Sequence, residues 1–338
     1  MLRSHLAASS IDRPVYLLID EIQTIPDWPR WVREVAEYDA IRTIATGSTN
    51  PLADPKEATL LTGRMTERTL WPMSLSERVR HRHPKAQTTS ALVQEELTCM
   101  LEDGSMPVTI DMLESDRLAT LDEMFRLIVR NDVPARPGTL ASEDVTRLAL
   151  ELLTQTANLQ SYKRLNDTLG WKNGRAKNAC AAVESVHLVH RVVTFDAKSS
   201  AIERGDFKVY ATDVGVRNAV AHRVAPDRGR LLETVVAGEL RRRLGPGHRL
   251  FRWQGARECD FLVVRGDAPI SALQVTMEVS ALAERELDGL VECLEHFDLV
   301  SGVLVTWNLD EIRTIRGRTV RLVPARDWLM RQMADPLP

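Results

Sequence analysis

Two acidic residues follow an apolar run near the beginning of the sequence. Val15–Ile19 is a compact run of apolar residues that predicts a buried strand, and Asp20 and Glu21 come directly after it. An aspartate at a strand end can hold Mg²⁺, and an adjacent glutamate can orient a water molecule for attack on a phosphate. Because acidic residues commonly end strands, this pattern alone does not distinguish a phosphate-transfer site from an ordinary strand end.

A second apolar run lies one helical segment further along the chain. Ile41–Thr46 predicts another buried strand and is followed by Gly47 and Ser48. The residues between the two runs include tryptophans and valines at helical spacing, which predict a short amphipathic helix. Strand, helix and strand at this spacing indicate a parallel α/β unit.

The ordered series of motifs resembles a known family. LLIDEIQ at 17–23 is followed by ATGS at 45–48 and by TGRMTERTLWPMSLSE at 62–77. This order is similar to that of prokaryotic AAA-type ATPases that carry a C-terminal domain of unknown function. The similarity continues at Val129–Val133 and at Phe207–Val220, so the resemblance extends over nearly the whole chain.

The resemblance implies roles for individual residues. Asp20 would be the carboxylate on the metal side, and Glu21 would be the carboxylate that acts in hydrolysis. Thr46 or Ser48 would occupy the sensor position beside the γ-phosphate, and Arg64 matches the arginine of the family's Gly-Arg pair. An arginine that only braces the fold is an equal alternative for Arg64. The cofactors implied for the family are ATP and Mg²⁺.

The sequence lacks the motif that usually holds nucleotide phosphates. No GxxxxGK[ST] occurs in the 338 residues, and such a loop supplies close backbone approach, a lysine for the phosphates and a hydroxyl for Mg²⁺. Only fourteen residues precede Val15, which is too few for the strand, loop and helix of that motif. We therefore expect an N-terminally truncated or degenerate family member that does not bind ATP and Mg²⁺. We also expect exposed apolar surface along Val15–Ile19.

A second group of residues indicates DNA recognition. Three helical patterns and two strands between Leu140 and Ala211 outline a winged helix-turn-helix. Tyr162–Leu169 and Asn173–Val186 predict two tightly joined helices with a glycine in the turn. Winged helices that bind proteins have the same outline, so a protein-binding module is the alternative. The start of the second helix carries residue types that suit phosphates and base edges, namely Lys172, Asn173, Arg175, Lys177 and Asn178.

A third group of residues lies in the last third of the chain. A glutamate on a predicted helix is followed by acidic residues at one strand and by Gln274 on the next strand. This order is similar to the restriction-endonuclease-like fold, in which Asp and then Glu-x-Lys on adjacent strands hold Mg²⁺ and position a water molecule. The resemblance implies that Glu233, Glu258 and Asp260 gather a metal ion. Because Gln274 and Thr276 stand at the second carboxylate and lysine positions, we expect a retained fold with lost cleavage.

Composition limits the compartment and the partners. The formal net charge of −3 gives no global basic field, so any nucleic-acid contact must come from a local patch. A basic segment at Arg78–Lys85 predicts an exposed loop. The four cysteines are widely spaced without a CxxC pair, which argues against a zinc ribbon or a disulfide framework. No run approaches ~18 apolar residues and the first residues are too polar for a signal peptide, so we expect a cytoplasmic protein with no membrane partner.

The sequence therefore predicts an α/β multidomain protein. Its expected segments are a partial P-loop NTPase core of the AAA type at 1–85, a helical segment at 86–138, a winged helix-turn-helix at 139–222 and a restriction-endonuclease-like α/β domain at 223–338. The expected function is DNA or protein binding without ATP turnover. The alternatives are a metal-dependent nuclease acting through the C-terminal domain and a protein-interaction scaffold. Double-stranded DNA, a protein partner and a homo-oligomer are the expected partners.

Overall fold

The chain forms two compact units, Met1–Leu70 and Trp71–Pro338. Within the described parts of the chain, every helix is too short or too polar to span a membrane bilayer. Two of the residues singled out from the sequence, Arg64 and Asn173, lie outside the described residues. The computed structural model describes residues 15–37, 41–48, 63, 65–133, 141–172, 174–196, 205–221, 228–277 and 281–331.

The smaller unit contains the predicted strand, helix and strand. Strand β1 spans Val15–Ile19, helix α1 spans Trp28–Val35 and strand β2 spans Ile41–Ala45. The two strands pair in parallel, with Val15 opposite Ile41 and Ile19 opposite Ala45. The parallel α/β unit predicted from the apolar runs is therefore present.

The two faces of this small sheet differ in exposure. On one face, Ile19 packs with a small cluster that contains Ile22 and Trp28. Because side chains alternate along a strand, the other face carries Tyr16, Leu18 and Ile44. Their exposed fractions are 66%, 73% and 56%. The exposed apolar surface expected along β1 is thus confirmed at Tyr16 and Leu18.

The larger unit begins with helices that the sequence did not fully predict. Helix α2 spans Leu75–Arg82, α3 spans Ser90–Asp103 and α4 spans Glu114–Leu127. The expectation of a loop from Arg78 is wrong as far as Arg82. The helix is fixed by a capping box, since the Ser74 hydroxyl accepts from the Glu77 N–H at 3.2 Å and the Glu77 carboxylate accepts from the Ser74 N–H at 2.7 Å.

Three further helices and three strands form one compact layer of the larger unit. The elements are α5 at Ser142–Thr154, β3 at Leu159–Gln160, α6 at Tyr162–Leu169, α7 at Arg175–Ser185, β4 at Val189–Val193 and β5 at Phe207–Ala211. The strands form an antiparallel sheet in the order β3, β5, β4. Helix α6 ends at Gly170, whose φ of 71° suits glycine. Apolar residues of all three helices pack against β4 and β5.

The rest of the larger unit is built on a six-stranded mixed sheet. The elements are α8 at Val214–Val220, α9 at Arg228–Arg243, β6 at His248–Gln254, β7 at Glu258–Arg265, β8 at Ala268–Val275, α10 at Ala281–His296, β9 at Ser301–Thr306, β10 at Glu311–Ile315, β11 at Arg318–Pro324 and α11 at Ala325–Met330. The strand order in the sheet is β10, β11, β9, β8, β7, β6. Strands β6, β7 and β8 form an antiparallel meander, whereas β9 is parallel to both β8 and β11.

Helices cover both faces of this sheet. Successive residues of β8, such as Ala272 and Leu273, belong to different apolar clusters. The cluster with Leu273 contains Leu232 of α9, and the cluster with Ala272 contains Leu290 of α10. Because neighbouring residues of a strand point to opposite faces, α9 and α10 lie on opposite sides of the sheet.

Helix α11 closes the larger unit against its first helices. Trp328 is fully buried in the same apolar cluster as Leu75 of α2 and Leu97 of α3. The Arg326 guanidinium donates to the Gln94 side chain of α3 at 3.0 Å. The guanidinium of Arg243 lies over the Trp328 ring at 4.4 Å.

Trp328→Ala tests this closure. Removing a fully buried indole should lower the free energy of unfolding by about 3–5 kcal/mol, because it leaves a cavity between α11, α2 and α3. Urea denaturation followed by far-UV circular dichroism measures the change. Ile312→Ala on β10 is the control, since Ile312 is mostly exposed, and its effect should stay within about 0.5 kcal/mol. Equal effects of the two substitutions would contradict the packing role of Trp328.

Candidate functional site

Three polar residues meet at the carboxyl ends of β1 and β2. The Thr46 hydroxyl donates to the Asp20 carboxylate. The Glu21 N–H donates to the Thr46 hydroxyl at 3.4 Å, with a backbone φ of 49° at Glu21. Backbone hydrogen bonds from Thr46 to Ile19 at 2.8 Å and from Ile22 to Thr46 at 2.9 Å hold the two strand ends together. The structure therefore brings the predicted Asp20, Glu21 and Thr46 together in an exposed position.

The predicted DNA-contacting residues differ in their surroundings. Lys172, Lys177 and Asn178 are exposed. Arg175 instead donates to the Asp144 carboxylate of α5 at 2.7 Å, and its guanidinium lies 5.2 Å from the centre of the Trp171 ring. Arg175 thus braces α7 against the preceding elements.

The predicted carboxylates of the C-terminal region converge on a lysine. The Lys208 ammonium lies 2.8 Å from Glu233 Oε1, 2.5 Å from Glu258 Oε1 and 2.8 Å from Asp260 Oδ1. The Tyr210 hydroxyl donates to the same Glu233 oxygen at 2.7 Å. We call these five residues the Lys208 centre.

Secondary structure explains why these side chains meet. Lys208 and Tyr210 are two residues apart on β5, so their side chains point to the same side. Glu233 lies on α9, which packs beside β5 and β8, and Glu258 and Asp260 lie at the beginning of β7. The centre therefore joins the three-stranded sheet to the six-stranded sheet.

Further hydrogen bonds orient the carboxylates. The Gln274 carbonyl oxygen accepts from the Asp260 N–H at 2.7 Å, and the Gln274 amide donates to Glu286 of α10. Asp260 also accepts from the Val275 N–H at 3.1 Å. The Arg252 guanidinium lies 3.3 Å from Glu258. Gln274, at the predicted carboxylate position, thus holds Asp260 and Glu286 in place.

Asp20 and Thr46 lie within a segment that matches a protein-family model. Residues 2–79 match the family model of an AAA domain. Residues 94–227, which include α6, α7 and Lys208, match the model of a domain of unknown function (DUF8612). Glu233, Glu258 and Asp260 lie outside both matched ranges.

Longer similarities also occur. The chain is 24% identical over 327 residues to an uncharacterised protein of Haemophilus influenzae, covering 95% of this chain and 79% of the relative. It is 24% identical over 341 residues to an uncharacterised protein of Methanocaldococcus jannaschii, covering 95% of this chain and 76% of the relative. No solved structure gives a significant match. The similarity to AAA-type proteins therefore rests on the family-model match over residues 2–79.

The ends of β1 and β2 carry two polar side chains whose chemistry can be compared with that of a nucleotide site. Asp20 offers a carboxylate at a strand end, which is a type of ligand that Mg²⁺ binds, and the Thr46 hydroxyl is hydrogen-bonded to it. The chain contains no glycine-rich loop with a following lysine to hold the phosphates. Of the described residues, Asp20 fits the metal side of such a site, and the sequence offers no GxxxxGK[ST] loop for the phosphate side.

Burial controls the electrostatics of the Lys208 centre. Burial, together with the nearby Asp260, raises the pKa of Glu233 to about 7. Burial also raises the pKa of Asp260, although Lys208 opposes the shift. Burial by itself would raise the pKa of Glu258, but the positive charges of Lys208 and Arg252 outweigh this effect and lower the pKa below its ordinary value. The three carboxylates hold the pKa of Lys208 well above its ordinary value despite burial.

With the side chains in these positions, the three carboxylates do not fit the metal site expected from the sequence. The three oxygens that would face a metal ion already surround the Lys208 ammonium. Within the described residues, no group of three or more His, Cys, Asp or Glu side chains has a metal-holding arrangement. From the sequence, Glu233, Glu258 and Asp260 were grouped as metal ligands, and the structure places them around Lys208, which was not singled out. One feature of the sequence could have indicated Lys208, namely a lysine within the otherwise apolar strand FKVYA.

Glu233→Gln isolates the titration of the Glu233 carboxyl. Because its pKa is raised from 4.5 to about 7, the folded chain keeps a proton that the unfolded chain loses between these values. That stabilisation is fully present below pH 4.5 and is lost as the pH rises to about 7. The free energy of unfolding of the wild type, relative to Glu233→Gln, should therefore fall by up to about 3 kcal/mol over this range.

Urea denaturation at a series of pH values measures this difference. The matched control is Glu143→Gln, which makes the same change at an exposed position on α5. A difference between wild type and Glu233→Gln that stays constant with pH would contradict the raised pKa.

Proposed function

We propose that this chain is a DNA-binding protein in which a winged helix contacts double-stranded DNA and the AAA domain does not turn over ATP by itself. The observation that carries this proposal is the exposed, positively charged surface of α6 and α7. The charge pattern favours DNA over other partners, because the chain as a whole is slightly acidic while this surface is basic.

The order and pairing of elements support a winged helix. Helix α5, strand β3, helices α6 and α7, and strands β4 and β5 follow one another. A winged helix-turn-helix has this order, with the second helix of the tight pair available to enter the major groove. Here that helix is α7, and its start is held by a hydrogen bond from the Ala176 N–H to the Asn166 side chain at 3.1 Å.

The exposed residues of the helix pair have suitable chemistry. On α7, Lys177 and Asn178 share an exposed face with Ala181, since residues three and four apart lie on the same side of a helix. Lysine pairs with phosphates and asparagine can read base edges. Lys163 and Arg164 on α6 are also exposed and extend the basic surface.

The double substitution Lys172→Ala with Lys177→Ala tests DNA binding. Loss of two phosphate contacts should weaken binding severalfold and lower the slope of log affinity against log salt concentration by about 2. Fluorescence anisotropy with a labelled random-sequence duplex, repeated at several salt concentrations, measures both quantities.

The control for this test removes a basic residue elsewhere. Arg265→Ala changes an exposed arginine at the end of β7 and should leave the affinity and the slope unchanged. An equal loss from both changes, or no salt-sensitive binding by the wild type, would overturn the DNA proposal. The second result would favour a protein-binding scaffold, for which Tyr16 and Leu18 offer exposed apolar surface.

The nucleotide part of the proposal has a separate test. Because the phosphate-holding loop is absent from the sequence, calorimetry with ATP and Mg²⁺ should give no saturable heat. Asp20→Ala is the comparison, since it removes the one carboxylate suited to the metal side. Micromolar binding by the wild type that disappears in Asp20→Ala would mean that other backbone groups hold the phosphates, and the proposal would be wrong.

Metal-dependent phosphodiester cleavage is the second candidate function. It is favoured by the convergence of Glu233, Glu258 and Asp260, because such cleavage needs carboxylates close together. It is opposed by Gln274 and Thr276 at the positions where a ligand carboxylate and a lysine are expected. The presence of Lys208 among the carboxylates opposes it further.

A further inference from the structure

We propose that the Lys208 ammonium is the resident cation of its centre and takes the place of a divalent metal ion among the three carboxylates. The centre is then a permanent internal ion cluster that joins β5 to α9 and β7. This inference concerns the C-terminal part of the chain and does not depend on the proposed DNA binding.

The donor and acceptor numbers match in the Lys208 centre. An ammonium group has three N–H donors and no acceptor. Its three neighbours are one oxygen each of Glu233, Glu258 and Asp260, at 2.8, 2.5 and 2.8 Å. The two separations of 2.8 Å are usual for charge-assisted N–H···O bonds, and the separation of 2.5 Å from Glu258 is shorter. The ammonium donates hydrogen bonds to Glu233 and Asp260 and forms an ion pair with Glu258, so that each carboxylate directs one oxygen at the same point.

The surroundings keep the ammonium in this place. The Lys208 side chain is 8% exposed and the Asp260 side chain is 5% exposed. The backbone of Lys208 is paired on both sides, with Leu159 of β3 and Val192 of β4. Withdrawing the lysine would break the sheet or leave buried carboxylates unpaired, and the second change alone is strongly unfavourable.

The neighbouring residues are also matched to a lysine-filled centre. Lys208 and Arg252 supply two positive charges against the three carboxylates, so one proton completes the balance. The uncharged Gln274 uses its oxygen on the Asp260 N–H and its amide on Glu286. Its single side-chain oxygen is directed at the Asp260 N–H, and a carboxylate in its place would add a fourth negative charge beside the three carboxylates.

Replacing Lys208 with an uncharged side chain should turn the cluster into a cation site. Lys208→Met replaces the apolar stem with one of the same number of atoms and removes the terminal ammonium, which leaves three carboxylate oxygens directed at one empty point. Hard divalent ions prefer such oxygen ligands. We expect one Mn²⁺ to bind to Lys208→Met with a Kd on the order of 10⁻⁴ M, at least tenfold tighter than any binding by the wild type.

The experiment uses the full chain after treatment with a chelator. Electron paramagnetic resonance counts free and bound Mn²⁺ during a titration, and circular dichroism verifies that each variant is folded. Lys85→Met is the matched control, because it makes the same change at an exposed lysine outside the proposed DNA-binding surface. The double variant Lys208→Met with Asp260→Asn should lose the added Mn²⁺ site.

Two outcomes would overturn the proposal. One is a folded Lys208→Met chain that binds Mn²⁺ no better than the wild type. The other is a wild type that binds Mn²⁺ tightly and loses the ion in Asp260→Asn, because the ammonium would then not exclude the metal. The wild-type measurement decides the matter even if Lys208→Met does not fold. Neither outcome changes the expected DNA affinity, so the two proposals fail separately.

Discussion

The larger unit depends on the enclosure of one ammonium group by three carboxylates. Lys208 comes from the three-stranded sheet, Glu233 from a helix and Asp260 from the six-stranded sheet, so a single cation connects three layers. A charge withdrawn from water is tolerated only when opposite charges and hydrogen bonds surround it. The contact between the two sheets is therefore fixed by charge as well as by apolar packing, and neither sheet can shift without unpairing a buried ion.

Such a centre favours one arrangement of the two sheets and α9 more than it raises the free energy of unfolding. Removing ions from water costs several kcal/mol per ion, and the attraction between them offsets this cost only when the geometry is good. An apolar cluster of similar volume would tolerate many small displacements. An ammonium with three donors tolerates few, because each displacement of Lys208 leaves a donor or a carboxylate unsatisfied. Gln274 extends the same constraint to α10 through Glu286.

Local patterns in the sequence could predict part of this structure. The bounds of β1 and α6 follow from an uninterrupted apolar run and from a helical pattern ended by Gly170. Glu233 and Asp260 were grouped by their resemblance to a known order of residues. Lys208 could not be assigned, because its partners lie 25 and 52 residues away and periodicity does not tell which strand faces which helix. Helix α2 was missed because a side-chain cap and packing, rather than apolar spacing, stabilise it.

The packing of α11 on α2 and α3 has a consequence for synthesis of the chain. Arg326 and its partner Gln94 are separated by 232 positions. At ribosomal rates of 5–20 residues per second, α3 emerges on the order of 10–50 s before α11 exists. During that interval the apolar faces that later enclose Trp328 are open to chaperones and to other nascent chains. The apolar faces around Trp328 are therefore covered only late in synthesis, when α11 packs against α2 and α3.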